Sequence, residues 1–174
     1  MKKLMIPLIA LCLCPVGCGN SKTAEEAAQD GDIPALKRMA ENGNAEAQYH
    51  LGEAYSDGWS GEQDYKEAVK WSRKAAEQGF NIPDDRGMSL YDPAHWISVM
   101  YEEGGHGLKQ DLVAAYAWCT IAATNNRGNT SNGFRLRKRL SELAKKMTPE
   151  QISKGQEFST EMVNKQPKLI RKKD

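Results

Sequence analysis

The chain has 174 residues and a formal net charge of +1, with 27% charged and 7% aromatic residues. That length is enough for one compact domain with its own core and excludes a mini-domain that needs staples to fold. The balanced total conceals two halves. Residues 18–133 carry 10 Lys/Arg against 18 Asp/Glu, a net −8, and residues 134–174 carry 12 against 5, a net +7. An acidic body argues against nucleic acid as a partner, and no aromatic residues are interleaved with the basic tail.

In chain order, Lys2 and Lys3 precede an apolar run over 4–14, followed by small residues at Gly17, Cys18 and Gly19. The run is too short for a permanent membrane span and is expected to be a cleaved targeting signal over 1–18. Pro15-Val16-Gly17-Cys18 resembles the lipobox of bacterial lipoproteins, which implies lipid on Cys18, with Pro15 standing where leucine is usual. The rival is plain secretion, with cleavage after Gly19. The resemblance implies a bacterial envelope location facing the periplasm, anchored to the outer membrane, because Gly19 rather than aspartate follows the cysteine. If Cys12 and Cys14 leave with the signal and Cys18 carries lipid, Cys119 has no partner for a disulfide and is expected to be a buried small hydrophobe.

Next come helix starts and stops at close intervals. Asp32 with Pro34 opens a helix, and Asn42-Gly43 closes it. Asn44 opens the next, with a buried stripe at Ala47, Leu51, Ala54 and Tyr55 and a stop at Gly58. Asp64 and Glu67 form the pattern of a capping box before a helix that buries Tyr65, Ala68, Val69, Trp71, Ala75 and Ala76. The segment 45–58, AEAQYHLGEAYSDG, returns weakly over 92–105. The segment 64–79, DYKEAVKWSRKAAEQG, returns at a spacing of 47, aligning Ala68 with Ala115, Trp71 with Trp118, Ala75 with Ala122 and Ala76 with Ala123. A fragment of an earlier copy, ALKRMAENG over 35–43, matches at a spacing of 36. Units of this size are helix pairs that bury their apolar faces only by stacking, so the expected fold is an all-α solenoid.

The expected layout is a half repeat over 23–43, repeat one over 44–79, an inserted loop over 80–91 and repeat two over 92–126. A polar linker over 125–133 then leads to capping helices over 134–164 and a basic tail over 165–174, which lies in solvent or against anionic head groups. Thr148, Pro149 and Gln151 mark the start of the last helix.

Ala47, Leu51, Gly52, Tyr55, Gly58, Gly61, Asp64, Ala68, Trp71, Lys74, Ala75, Ala76 and Gly79 fit the consensus of the Sel-one-like repeat. The chain thus resembles that family, a relative of the tetratricopeptide repeats, over about residues 24–160. Ser98 in place of Gly52 and Pro93 in place of Ala47 are departures in the second copy. The resemblance implies a right-handed stack of antiparallel helix pairs acting as a protein-binding adaptor in the bacterial envelope, without cofactor or small-molecule substrate, and the expected binding surface is the concave face together with the inserted loop over 80–91. It also leaves open an immunity protein that neutralises a secreted antibacterial effector.

Chemistry of other kinds has weak support. His50, His95 and His106 form no i, i+4 pair, no G-x-S-x-G elbow is present, and Gly104, Gly105 and Gly107 belong to a repeat turn rather than a phosphate cradle. The enzyme-class alternative is a hydrolase or metal protein built on His95 with Asp84 and Asp85. Candidate partner-binding residues are Trp59, Asp84, Asp85, Arg86, Tyr91, Trp96 and Glu102. Trp59 follows a turn, Trp96 faces away from Ile97 and Met100, and aromatics so placed are frequent anchors of interfaces.

Overall fold

The computed structural model describes residues 22–83, 89–126 and 131–170, with backbone alone for 82–83 and 89–91. Among these the helices are α1 (Ala24–Gln29), α2 (Ile33–Glu41), α3 (Ala45–Asp57), α4 (Tyr65–Glu77), α5 (Pro93–Glu103), α6 (Leu112–Asn125), α7 (Ser131–Lys145) and α8 (Pro149–Lys165). A two-residue strand β1 (Ile82–Pro83) pairs antiparallel with β2 (Ser89–Tyr91), and a 3-10 turn spans Pro167–Leu169. The result is the all-α solenoid expected from the repeats.

Short polar side chains start these helices. Asp32 accepts from Ala35 N–H at 3.1 Å, Asn44 from Ala47 at 2.9 Å, and Asp111 from Ala114 at 2.9 Å. Each satisfies a donor that the first helical turn leaves without a partner. Thr148 and Gln151 make the full reciprocal capping box. Asp64 makes only half of one: it accepts from Lys66 and Glu67 N–H, while the Glu67 carboxylate turns outward to Lys70 Nζ at 2.9 Å. Gly58 ends α3 with φ of 79°, a left-handed turn that sends the chain into Trp59 and on to α4.

Packing follows the sequence. α1 and α2 lie on α3, α3 on α4, α4 on α5, and α5 on α6, while α7 and α8 both cover α6. Leu36, Leu51 and Trp71 join the first layers, with Lys74 Nζ 4.0 Å from the centre of the Trp71 ring. Val69, Ile97, Trp118 and Leu136 form the central cluster, and Tyr116, Cys119 and Leu143 a third. α6 is apolar around most of its circumference because α5, α7 and α8 all pack on it, leaving Thr120 and Thr124 only partly buried.

Four local expectations need correction. Residues 23–43 hold two helices, since Thr23 and Glu26 close a capping box on α1, whose Ala24 and Ala27 are buried. Residues 80–91 contain the β1–β2 pairing rather than loop alone. The linker is shorter than read, because α6 continues to Asn125 and α7 begins at Ser131. Tyr55 and Tyr65 are only partly buried.

Within the basic tail, Leu169 departs from the solvated or lipid-facing reading, while Lys165 and Lys168 are exposed and 171–174 lie outside the described residues. Leu169 is 4% exposed in the central cluster, and its carbonyl accepts from Asn125 Nδ2 at 2.9 Å. The turn thereby straps α8 back to α4 and α6. Leu169→Ala should cost about 2–3 kcal/mol in urea unfolding, the lower part of the range for a buried leucine, because the turn lies at the edge of the cluster. A cost near zero would mean that the strap does not stabilise the fold.

Candidate functional site

α3 carries two stripes. Ala47, Leu51 and Ala54 face the core, whereas Glu46, His50 and Glu53 follow at i, i+4 and i+7 on another face. α1 sets Glu25, Ala28 and Gln29, at i, i+3 and i+4, opposite this second stripe. Between them runs a groove of about 360 Å³, with Tyr49 in its wall and Trp59 at one end. The Trp59 indole is 56% exposed.

The floor of the groove is ordered by hydrogen bonds. Tyr49 O–H donates to Glu53 Oε1 at 2.6 Å, and His50 Nδ1 lies 2.9 Å from Glu53 Oε2. His50 Nε2 is buried without a partner. The Tyr49 ring meets the His50 ring edge-on with centroids 5.3 Å apart and lies 5.7 Å from the Phe80 ring, which ties the groove to the start of the insertion. Glu25, Glu46 and Glu53 line the groove, and no Lys or Arg does. Chemically this is an apolar, aromatic-ended slot with an acidic lining. It suits a cationic side chain that also offers apolar surface, through carboxylate contacts and stacking on the indole.

The sequence-derived candidates fare differently. Trp59 is part of the groove. Trp96 is exposed on α5, its ring 6.1 Å from that of His95, and it does not line the groove. Tyr91 pairs through its backbone with Ile82. Asp84, Asp85, Arg86 and Cys18 lie outside the described residues.

Glu102 is not a free partner-binding carboxylate. It takes ion pairs from Arg139 and, at 2.7 Å, from Lys146, and its side chain is only 17% exposed. It clamps α7 onto α5, and a group engaged by two cations is poorly placed to greet a third.

His95 is half-hidden beneath α7. Burial first, and then the charges of Arg139 and Arg135, push its pKa down to about 4. Two guanidiniums facing the ring oppose a bound cation, which weakens the hydrolase or metal reading at His95. Among the described residues no three metal-ligating side chains converge. Cys119 is fully buried, and desolvation pushes its thiol up to about 11, so it stays protonated and unreactive.

The sequence reading missed Glu25, Glu46, Tyr49, His50 and Glu53. One signal was present, the charged i, i+4, i+7 series beside the apolar stripe of α3. Recognising it as a groove needed α1 in place.

The Sel1 repeat family matches the chain over residues 45–80 and 94–126. A comparison with curated proteins gives no match. Among solved structures, the chain is similar to that of c5321, a protective antigen present in uropathogenic Escherichia coli strains and displaying an SLR fold. The TM-score is 0.64 at 24% identity, over 84% of this chain and 31% of that one. The present chain therefore spans under a third of that relative, and the likeness concerns the fold. The chain thus carries two matched Sel1 repeats on consecutive helix pairs, in a stack similar in fold to that structure.

Proposed function

We propose that this chain is a non-catalytic protein-binding scaffold of a bacterial cell envelope, and that the α1–α3 groove seats a positively charged segment of its partner. Sel1 repeats generally mediate protein–protein interaction, which supplies the coarse class. The observation that carries the finer reading is the groove itself: three glutamates, no lining cation, and an indole 56% exposed at its end. A folded monomer gains little by leaving a tryptophan so exposed, and interfaces are enriched in such anchors. The fixed Tyr49–Glu53–His50 arrangement means that the acidic wall needs little ordering when a partner arrives.

The test is capture from envelope and culture fractions by the chain from residue 19, beside Trp59→Ala and Glu46→Lys variants. One stoichiometric partner retained by the parent chain and lost by both variants is the expected result. A partner retained by both variants would place the interface elsewhere.

The envelope location is supported by Lys2-Lys3, the apolar run after them, and Gly17-Cys18. Cys18→Ser is expected to move the full-length chain from the membrane pellet to the soluble fraction. A single acyl chain binds membranes only marginally, so an anchor that survives salt washing needs the several chains of a lipoprotein cysteine. An unchanged distribution would remove Cys18 as the anchor.

A further inference from the structure

We infer that the chain associates head to tail with a second copy of itself, the N-terminal half of α7 in one copy entering the α1–α3 groove of the next. The inference rests on the groove reading above and names one occupant for it. Its basis is a pair of exposed aromatics in opposite electrostatic settings. Phe134, at 65%, and Trp59, at 56%, are the two most exposed large hydrophobic side chains among the described residues. Trp59 ends a groove lined by Glu25, Glu46 and Glu53. Phe134 stands on α7 among Arg135, Arg137 and Lys138, all exposed.

The charge on α7 is sorted by position. Arg139 and Lys146 are held by Glu102, and Lys145 pairs with Glu142 at 2.8 Å. Phe134 and Lys138 lie at i and i+4 and form one ridge, while Leu136 and Leu143 turn inward. A phenyl ring flanked by guanidinium and ammonium groups is the chemistry that an acidic slot with a free indole accepts. About 360 Å³ is room for one or two side chains, so Phe134 and a cationic neighbour would insert while the helix lies across the rim.

Geometry keeps the two surfaces apart within one molecule. α1 packs on α2 and α3 at one end of the stack, and α7 packs on α6 at the other. The contact therefore joins unlike surfaces of two copies, leaves a free groove and a free ridge at the ends, and repeats unless the rotation closes a ring. The opposite signs of the two halves, −8 over residues 18–133 from 10 Lys/Arg against 18 Asp/Glu and +7 over 134–174 from 12 against 5, steer this orientation. Self-association in this form covers the seat proposed for a partner, so the two compete.

The experiment is sedimentation velocity on the chain from residue 19 across a concentration series, with circular dichroism confirming that each variant is folded. The parent chain should show concentration-dependent species beyond the monomer. Raising ionic strength from about 0.05 M to about 0.5 M should weaken association about tenfold, because the charges are surface-exposed. Glu25→Lys with Glu46→Lys removes the groove, and Phe134→Ser with Lys138→Glu removes the ridge; each double variant should be monomeric. Their equimolar mixture should form a 1:1 dimer that grows no further, since one groove and one ridge remain. A parent chain that is monomeric throughout, association that survives in either variant, or a mixture that stays monomeric would each overturn the inference. If the parent chain is monomeric while Trp59→Ala still loses a captured partner, head-to-tail pairing fails and the groove reading stands.

Discussion

Gly52→Ala should destabilise the protein by about 2 kcal/mol, and Gly52→Val by about 4 kcal/mol, although alanine is the better helix former. Gly52 lies inside α3, where alanine would by propensity gain about 1 kcal/mol. Packing opposes it. A Cβ there would collide with Ser72 Oγ and stand 3.2 Å from both the Ala68 carbonyl oxygen and the Ser72 nitrogen of α4. The hydroxyl can rotate, but the α4 backbone moves only if the helix pair separates, and overpacking of this kind costs about 1–3 kcal/mol or more. Two branched methyl groups aggravate the clash, hence the larger figure for valine. Urea unfolding checks both numbers. Ser72→Ala introduced beside Gly52→Ala should recover less than half of the loss, because the two backbone atoms of α4 stay where they are. A Gly52→Ala protein as stable as its parent would show that α3 and α4 do not approach as described.

The second large effect is acid sensitivity centred on His95. Its folded pKa of about 4 lies below the ordinary 6.5, so the unfolded chain binds a proton in a range where the folded chain does not. Stability from this residue is complete above about pH 6.5 and is lost as pH falls toward about 4. At 1.36 kcal/mol per pH unit the loss is about 3 kcal/mol. The causes are burial and the facing Arg139 and Arg135, and the unpartnered, buried Nδ1 gives the ring no compensating hydrogen bond. His95→Phe keeps an aromatic ring of similar size and removes the titration. Its stability relative to the parent should rise progressively between pH 7 and pH 4.5, read as the difference between two urea-unfolding series so that the carboxylates common to both cancel. Parallel pH profiles would contradict the assignment.

Both effects arise where one helix packs against another, and that pattern also explains what the sequence made legible. The helix pairs α3–α4 and α5–α6 were readable because Asn44, Asp64 and Asp111 cap them locally and because alanines and tryptophans recur at a spacing of 47. These are short-range signals. α1 escaped notice because six residues, AEEAAQ, show no large apolar side chain and owe their helix to packing on α2 and α3. The β1–β2 pairing spans only a few residues and is set by tertiary context rather than alternation. Leu169 reads as part of a charged tail until Asn125, 44 residues earlier, is placed beside it.

The site was less legible than the fold for the same reason. Trp59 announced itself as an aromatic after a turn. Glu46, His50 and Glu53 look like an ordinary solvated face of α3, and only α1 opposite them makes a groove. Glu102 misled in the other direction: at the end of α5 it resembles a free surface carboxylate, while its cations come from α7 and the turn after it, 37 and 44 residues away. Long-range ion pairs leave no periodic trace in a sequence.

The central claim is that a protein partner occupies the α1–α3 groove, and photo-crosslinking in living cells tests it most directly. A benzophenone amino acid would replace Trp59 in the full-length chain, with the same group at Lys66, exposed on α4, as the comparison site. The account predicts a discrete crosslinked protein from position 59, absent from position 66 and lost when Glu46→Lys is added. Crosslinks of equal yield at both positions, or none at 59 while 66 captures a protein, would contradict it.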